Sequence, residues 1–204
     1  MDLMKNPWGW IHIRPRKVMK QAFIHSERKQ EWMLIILFGM MLGLEQASLR
    51  SVGDSLSFPL ILIMALLLSP LIGAVAWYVL GGIAYWVGNW FGGTATWEEI
   101  RTSVAWSSIP FSMKLILWIP FLAFFGDEMF TSLMPSLENS PLLFFLYFLL
   151  MAVDLVITIW YGIILCKGVG EAHDFSAWKS LLSFLIGYLI ILLPLMVVAV
   201  FFRM

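Results

Sequence analysis

The stretch SLSFPLILIMALLLSPLIGAVAWYVLGGIAYWVGNWFGGTATW, residues 55–97, contains no Asp, Glu, Lys or Arg. It is longer than the roughly 20 apolar residues that a helix needs to cross a bilayer. The rest of the chain has the same character. Of its 204 residues, 61% are hydrophobic and 13% are charged, whereas soluble domains are about half apolar and a quarter charged. The sequence therefore predicts an all-α polytopic membrane protein.

Five transmembrane helices account for the apolar runs. A break at Ser69-Pro70 would leave too short a first half, so we expect one long second helix that is kinked at Pro70. The predicted spans cover residues 32–49, 58–89, 111–129, 141–166 and 181–202. The second span also carries small residues four apart, a spacing that lets helices approach closely. These residues are Ser69 and Gly73, then Ala84, Gly88 and Gly92.

Residues 1–31 form a basic segment, which we expect to contain an interfacial amphipathic helix on the cytoplasmic membrane surface. After Pro15, the apolar side chains of Val18, Met19, Ala22 and Phe23 recur at helical spacing. A flexible basic tail is the alternative. The basic side chains expected to face anionic inner-leaflet lipid are Arg14, Arg16, Lys17 and Lys20. Residues 32–204 would then form one five-span membrane domain.

A short surface helix is predicted before the third span, because Thr96 suits an N-cap and Glu98 and Glu99 suit a first turn. The distribution of Lys and Arg predicts the topology. With five spans and a cytosolic N-terminus, 11 of these residues lie inside and 2 outside, whereas a six-span arrangement gives 8 and 5. Cytoplasmic loops hold the excess of positive charge, so we expect the C-terminus outside.

Two loop segments, GNWFGGTATWEEIRTSVAWSSIP (88–110) and GIILCKGVGEAHDFSAWKSLLSFLIGY (162–188), resemble the bacterial branch of the Yip1 family, as does the opening WGWIHIRPR (8–16). The resemblance covers most of residues 8–202 and implies a five-span protein of the bacterial plasma membrane with a cytosolic N-terminus. Eukaryotic relatives act in vesicle traffic with prenylated Rab GTPases. Only about thirty residues precede the first span here, so we do not expect that role to transfer. The positions that match the family's loop pattern are Gly92, Gly93, Arg101, Pro110, Gly168 and Glu171.

Glu45, Lys114 and Asp154 are ionisable residues inside predicted spans, where charge is costly and indicates function by default. Glu45 and Asp154 each lie about 20 Å from the cytoplasmic helix ends by helical rise, so we expect them to share a depth. If their helices are neighbours, the two carboxylates would share a proton or bind a small cation. Lys114 would snorkel to the interface or reach Asp154 as an ion pair. The structural alternative is that Asp154 accepts a hydrogen bond from Asn89, Thr158 or a serine, while Glu45 reaches the outer interface.

In the cytoplasmic loops, Glu98 and Arg101 are spaced as neighbours on a helix face, although Arg101 also suits a lipid phosphate. Glu171 and His173 are metal-ligand residue types, but without a second His at ligand spacing they favour a capped loop over a metal site. The remaining loop candidates are Asn89 and Lys167.

No catalytic motif is present, so we expect neither an enzyme nor a cofactor. The lone Cys166 excludes an internal disulfide, and zero net charge argues against nucleic acid as a partner. No leader with a cleavage site is evident, so the first span should remain in the mature protein. The leading hypothesis is a membrane-organising or adaptor protein whose partners are membrane lipids, a cytosolic or membrane protein, or a second copy of the chain. The rival is a small transporter or channel for a proton, cation or lipid that uses Glu45 and Asp154.

Overall fold

The computed structural model describes residues 6–201, apart from the side chains of residues 195 and 197–201. These residues form nine α-helices and two short 3-10 helices, with no strand in the described range. The α-helices are α1 (Pro7–Ile13), α2 (Pro15–His25), α3 (Arg28–Leu49), α4 (Phe58–Trp90), α5 (Trp97–Ser107), α6 (Ile109–Phe125), α7 (Pro135–Asn139), α8 (Pro141–Ala172) and α9 (Ala177–Phe201). The 3-10 helices cover Val52–Asp54 and Gly126–Phe130.

Five segments are long and apolar enough to cross a membrane, which confirms the predicted five-span, all-α architecture. They are Arg28–Leu49, Phe58–Trp90, Trp97–Phe130, Pro141–Ala172 and Ala177–Pro194. The fourth extends six residues past its predicted end at residue 166. Residues 1–5 of the predicted N-terminal segment and residue 202 of the predicted fifth span lie outside the described residues.

α4 continues without a break from Phe58 to Trp90, although Pro70 lies inside it. Proline has no N–H, so the carbonyl of Leu66 loses its helical donor. The hydroxyl of Ser69 donates to that carbonyl at 2.7 Å. The prediction of one long helix is therefore confirmed, and the serine before the proline supplies the missing hydrogen bond.

Contacts divide the chain into two compact units. Unit 1 comprises the described residues of 1–26, 77–107 and 163–204, and unit 2 comprises residues 27–76 and 108–162. Nothing in this division tests the predicted boundary between residues 31 and 32, which stays a prediction. Glu45, Lys114 and Asp154 lie in unit 2, whereas the loop candidates other than Pro110 lie in unit 1.

In unit 2, α3 and α4 cross at Gly39 and Gly73, where the two backbones touch. A Cβ on Gly39 would overlap the carbonyl oxygen of Ser69, and one on Gly73 would overlap the carbonyl oxygen of Ile35. Small residues permit such an approach between membrane helices. The Ser69 and Gly73 pair singled out in the sequence therefore lies at this crossing.

In unit 1, the apolar face of α2 packs against α5. Val18, Met19 and Ala22 are fully buried, so protein covers the face that the sequence predicts against lipid. The hydroxyl of Ser26, just after α2, accepts a hydrogen bond from the indole N–H of Trp106 at 2.8 Å. Protein takes the place of lipid at this face because α5 presents its own apolar residues to α2, which is too short to cross the membrane.

The short helix α5 begins as the sequence predicts. Thr96 Oγ1 accepts from the Glu99 amide at 3.3 Å, and the Glu99 carboxylate accepts from the Thr96 amide at 2.8 Å. This reciprocal arrangement is a capping box. Only the first turn is open to the surroundings, because residues 102–107 are all buried.

Candidate functional site

Four polar side chains of unit 2 meet within the membrane-spanning helices, and we call them the Lys114 cluster: Glu45 on α3, Lys114 on α6, and Asp154 and Thr158 on α8. The Lys114 ammonium contacts Glu45 Oε1, lies 2.9 Å from Asp154 Oδ1 and donates to Thr158 Oγ1 at 3.0 Å. An ammonium has three N–H donors. All three donors of Lys114 are therefore satisfied.

The cluster has a buried cation at its centre and two partly exposed acids beside it. The side chain of Lys114 is 2% exposed, compared with 24% for Glu45 and 21% for Asp154. Thr158 also donates its hydroxyl to the backbone carbonyl of Asp154 at 2.9 Å, which orients the threonine oxygen as an acceptor for the ammonium. Removing the ammonium would leave two carboxylates without compensation in an apolar region.

Aromatic rings line one side of the Lys114 cluster. The ammonium lies 4.6 Å from the ring centroid of Phe111, within the range of a cation–π contact. Phe111 in turn packs against Phe38 and Tyr161, with ring centroids 5.0 and 5.2 Å apart. The rings lower the local polarity, which strengthens the attraction between Lys114 and its two acids.

The structure thus brings together the three ionisable residues that the sequence singled out in the spans. It contains the Lys114–Asp154 ion pair that the sequence offered as one alternative. Lys114 points to the acids instead of snorkelling, and Thr158 bonds the backbone of Asp154 instead of its carboxylate. Asn89 belongs to unit 1 and is exposed. The functional role of the cluster stays a prediction.

Glu171, near the end of α8 in unit 1, forms ion pairs with two basic residues of the N-terminal helix α2. Its carboxylate lies 3.2 Å from Arg16 Nη1 and 3.0 Å from Lys20 Nζ. Arg16 also donates to the carbonyl of Phe175 at 3.2 Å. Two of the four basic residues predicted to face lipid therefore have an acidic partner in the protein, while Arg14 and Lys17 remain exposed.

His173 is buried in a slot of unit 1 that glycines create. A Cβ on Gly88 or on Gly93 would overlap its ring. Nε2 lies 3.0 Å from the carbonyl oxygen of Ala84, and Nδ1 lies 3.3 Å from the amide nitrogen of Ala95. A neutral imidazole that donates from Nε2 and accepts at Nδ1 satisfies both contacts. Burial lowers the pKa of His173 below its ordinary value of 6.5, which favours this neutral form.

Two helix ends beside this slot have the same geometry. Gly92 has φ +79°, its amide donates to Asn89, and the Gly93 amide donates to the carbonyl of Gly88 at 3.1 Å. Asp174 has φ +56°, and the Phe175 amide after it donates to Gly170 at 2.9 Å. These are Schellman caps, in which a left-handed residue ends the helix. Gly92 thus has a conformational role, and the loop after α8 is capped as the sequence predicts.

The other loop candidates contact protein in several ways. Arg101 lies over the ring of Trp77 at 5.6 Å and 3.9 Å from Glu98. Gly168 packs against α5, because a Cβ there would lie 2.6 Å from Ser103 Oγ. Pro110 is buried in the first turn of α6, and Lys167 is half-buried.

Among the described residues, no group of three or more His, Cys, Asp or Glu side chains is placed to hold a metal ion. Glu171 and His173 instead have the separate contacts given above. The packing of His173 against Gly88 and Gly93 was not predicted from the sequence. The sequence did carry a signal for this contact. The small residues spaced four apart in α4 reach Gly88, and the same spacing continues to Gly92 at the helix cap.

A model of the Yip1 domain matches residues 8–199. The match covers nearly the whole chain, including the two loop segments and all five membrane-spanning helices. No curated protein and no solved structure matches the chain. On this family match, and with five helices suited to a bilayer, the chain belongs to the Yip1 family of integral membrane proteins.

Proposed function

We propose that this Yip1-family protein is a non-enzymatic adaptor that organises the bacterial plasma membrane through its N-terminal helices. The observation that carries the proposal is how α1 and α2 are attached to unit 1. Ion pairs with Glu171 and buried apolar contacts hold their inner face against the rest of unit 1. Their outer face combines apolar and basic side chains. Such a surface suits the anionic inner leaflet.

The outer face is unusual for a helix pair that does not span the membrane. Ile13 is 72% exposed and Ile24 is 77% exposed. Arg14 and Lys17 lie close to Ile13 in the chain and are exposed as well. Lys17 and Ile24 are two helical turns apart on α2 and thus share a face. Exposed isoleucines next to basic groups can insert between headgroups while the cations pair with phosphates.

The fixed attachment distinguishes this surface from a flexible basic tail. Arg16 and Lys20 pair with Glu171, and the exposed Arg14 and Lys17 add further positive charge to the outer face. The proposed orientation has this face in the cytosol and the C-terminus outside, in agreement with the distribution of Lys and Arg. A cytosolic protein or a second copy of the chain would use the same exposed face as a partner surface.

The test uses the full chain, reconstituted in nanodiscs of zwitterionic lipid with or without anionic phosphatidylglycerol. An environment-sensitive fluorophore is attached through Ile13→Cys in a Cys166→Ala background. We expect its emission to shift to the blue when phosphatidylglycerol is present, because the label enters a less polar interface. The double variant Arg14→Gln, Lys17→Gln should lose most of that shift.

Arg50→Gln is the matched control, since it removes one basic residue that the predicted topology places on the opposite side. It should leave the shift unchanged. Equal emission with and without anionic lipid would contradict the lipid-organising proposal. A shift that survives Arg14→Gln, Lys17→Gln would contradict the assignment to these two residues.

A second candidate function is the transport of a proton or small cation through the Lys114 cluster. The observation in its favour is the charge balance, because two acids share one ammonium. One carboxylate therefore exceeds the number of cations in a region where charge is costly. Protonation or cation binding would remove the excess, as two close acids readily share a proton.

Proteoliposome flux measurements separate the two functions. A transporter should move protons or cations across the membrane, and Asp154→Asn and Glu45→Gln should abolish the flux. Glu128→Gln is a suitable control, because the Glu128 carboxylate binds Ser136 and lies outside the cluster. Absence of flux in the unaltered protein would remove this candidate without affecting the adaptor proposal.

A further inference from the structure

An apolar groove runs between α3 and α4 in unit 2, away from the residues considered so far. It has a volume of about 190 Å³. One wall is a single face of α3, formed by Gly43, Gln46 and Ala47, together with Arg50, which caps the helix. The opposite wall is the stretch of α4 from Ile61 to Ile72. Gly43, Ala47 and Ala65 leave space that bulkier residues would fill.

The length of the groove suits one half of a bilayer. From Ile61 to Ile72 the helical rise is about 16 Å, and one leaflet's hydrocarbon layer is about 15 Å thick. The deep end lies near the crossing at Gly39 and Gly73, where the backbones touch. The open end lies at Arg50 and Leu56, next to the loop between the helices. An acyl chain that enters beside Arg50 would therefore run the depth of its own leaflet.

Arg50 makes the open end of the groove electropositive. In the described part of the chain its guanidinium meets no carboxylate within ion-pair distance. The closest acid along the chain, Asp54, instead accepts a hydrogen bond from the Ser132 amide at 3.0 Å. A guanidinium is well matched to phosphate oxygens. The predicted topology leaves few other basic residues on this side, so the positive-inside tendency does not account for Arg50.

We infer that the groove between α3 and α4 is a binding site for one anionic phospholipid, with an acyl chain along Gly43 and Ala47 and the headgroup phosphate on Arg50. Charge complementarity selects the headgroup and the apolar lining selects the chain. Gln46, on the same face one turn before Arg50, is placed to donate to the glycerol ester region. This site lies in a different unit from the N-terminal surface and stands whether or not that surface binds lipid.

The test is native mass spectrometry of the full chain released from nanodiscs that contain equal amounts of phosphatidylcholine and phosphatidylglycerol. We expect one retained phosphatidylglycerol per protein. Arg50→Gln should reduce its retention about tenfold, the usual effect of losing one charge-assisted hydrogen bond, and Arg50→Lys should keep part of it. Ala47→Leu, which fills the groove, should reduce retention of the acyl chain even though Arg50 is intact.

Ala152→Leu adds the same bulk at an exposed position on α8 outside the groove, and it should leave retention unchanged. Inorganic phosphate should not displace the lipid, because it cannot fill the apolar part of the site. Equal retention of the two lipids by the unaltered protein would overturn the inference. So would unchanged phosphatidylglycerol retention in both Arg50→Gln and Ala47→Leu. Lys29→Gln removes an exposed basic residue of α3 that lies outside the groove, and it should leave phosphatidylglycerol retention unchanged.

Discussion

The ammonium of Lys114 lies 2.9 Å from the carboxylate of Asp154, and this contact joins α6 to α8 inside unit 2. Because Lys114 also contacts Glu45, a single side chain holds acids from two other helices. The arrangement explains how three charges are accommodated among apolar helices. Each charge has a partner, and the lysine has no donor left over.

Loss of the central cation should be the most damaging change in unit 2. We expect Lys114→Met to destabilise the protein by about 3–5 kcal/mol, because two partly buried acids would remain among apolar helices without a cation. Thermal unfolding in nanodiscs measures the effect. Lys29→Met, at an exposed position in the first turn of α3, should change stability little. The triple variant Glu45→Gln, Lys114→Met, Asp154→Asn should regain most of the loss, and a triple variant no more stable than Lys114→Met would contradict the charge-pairing account.

The slot for His173 predicts opposite effects for two glycines on the same helix. Gly88→Ala should destabilise the protein by about 1–3 kcal/mol, because the added methyl group would overlap the imidazole ring. Gly82→Ala meets nothing within 4 Å and should stabilise α4 by about 0.5–1 kcal/mol through its higher helix propensity. Equal effects of the two substitutions on the unfolding temperature would show that the slot is not rigid.

His173 should also make stability depend on pH. Its folded-state pKa is lowered by burial, so below pH 6.5 the unfolded chain takes up a proton that the folded protein resists. The free energy of unfolding should therefore be flat above about pH 6.5 and should fall below it, by at most about 1.4 kcal/mol per pH unit.

Unfolding temperatures between pH 7.5 and 5.5 measure this dependence, and His173→Gln should flatten it. Burial also lowers the pKa of His12, so His12→Gln is the matched control. If His12→Gln removed the whole slope and His173→Gln removed none, the assignment to His173 would be wrong.

The contacts of Glu171 predict how firmly α2 is held. Glu171→Gln should weaken the pairs with Arg16 and Lys20, whose exposed positions limit the loss to about 0–1 kcal/mol for each pair. Local opening of α2 should then become easier, and limited trypsin digestion should cleave faster after Arg16, Lys17 and Lys20. Glu98→Gln removes an acid that is 83% exposed and should leave cleavage at these sites unchanged. Equal digestion of the Glu171→Gln and unaltered proteins would indicate that apolar contacts alone hold α2.

The crossing of α3 and α4 predicts a further difference between glycines. Gly39→Ala should destabilise unit 2, because its methyl group would overlap the carbonyl oxygen of Ser69, and backbone cannot move aside cheaply. Gly162→Ala, which meets nothing within 4 Å, should be neutral or slightly stabilising. Comparison of the two unfolding temperatures in nanodiscs checks the prediction, and a neutral Gly39→Ala would mean that the helices can separate.

Apolar length and charge placement were sufficient to predict the five spans, because bilayer thickness imposes a minimum length on each helix. Local rules were also sufficient for the cap at Thr96, since the residues involved are three apart. The partners of Arg16 and Lys20 could not be predicted in this way. Glu171 is about 150 residues away, and amphipathic spacing in α2 is compatible with both lipid and a protein surface as the apolar neighbour.

The amino-acid sequence by itself determined the family resemblance, the number of membrane helices and the identity of the ionisable residues within them. Those features follow from composition and from interactions within a few residues. Only the tertiary structure decided that Lys114 lies between Glu45 and Asp154, that Gly88 and Gly93 enclose His173, and that α3 and α4 leave a groove beside Arg50. The reason is geometric, because helix rotation and spacing depend on how small and large side chains interlock across elements distant in the chain.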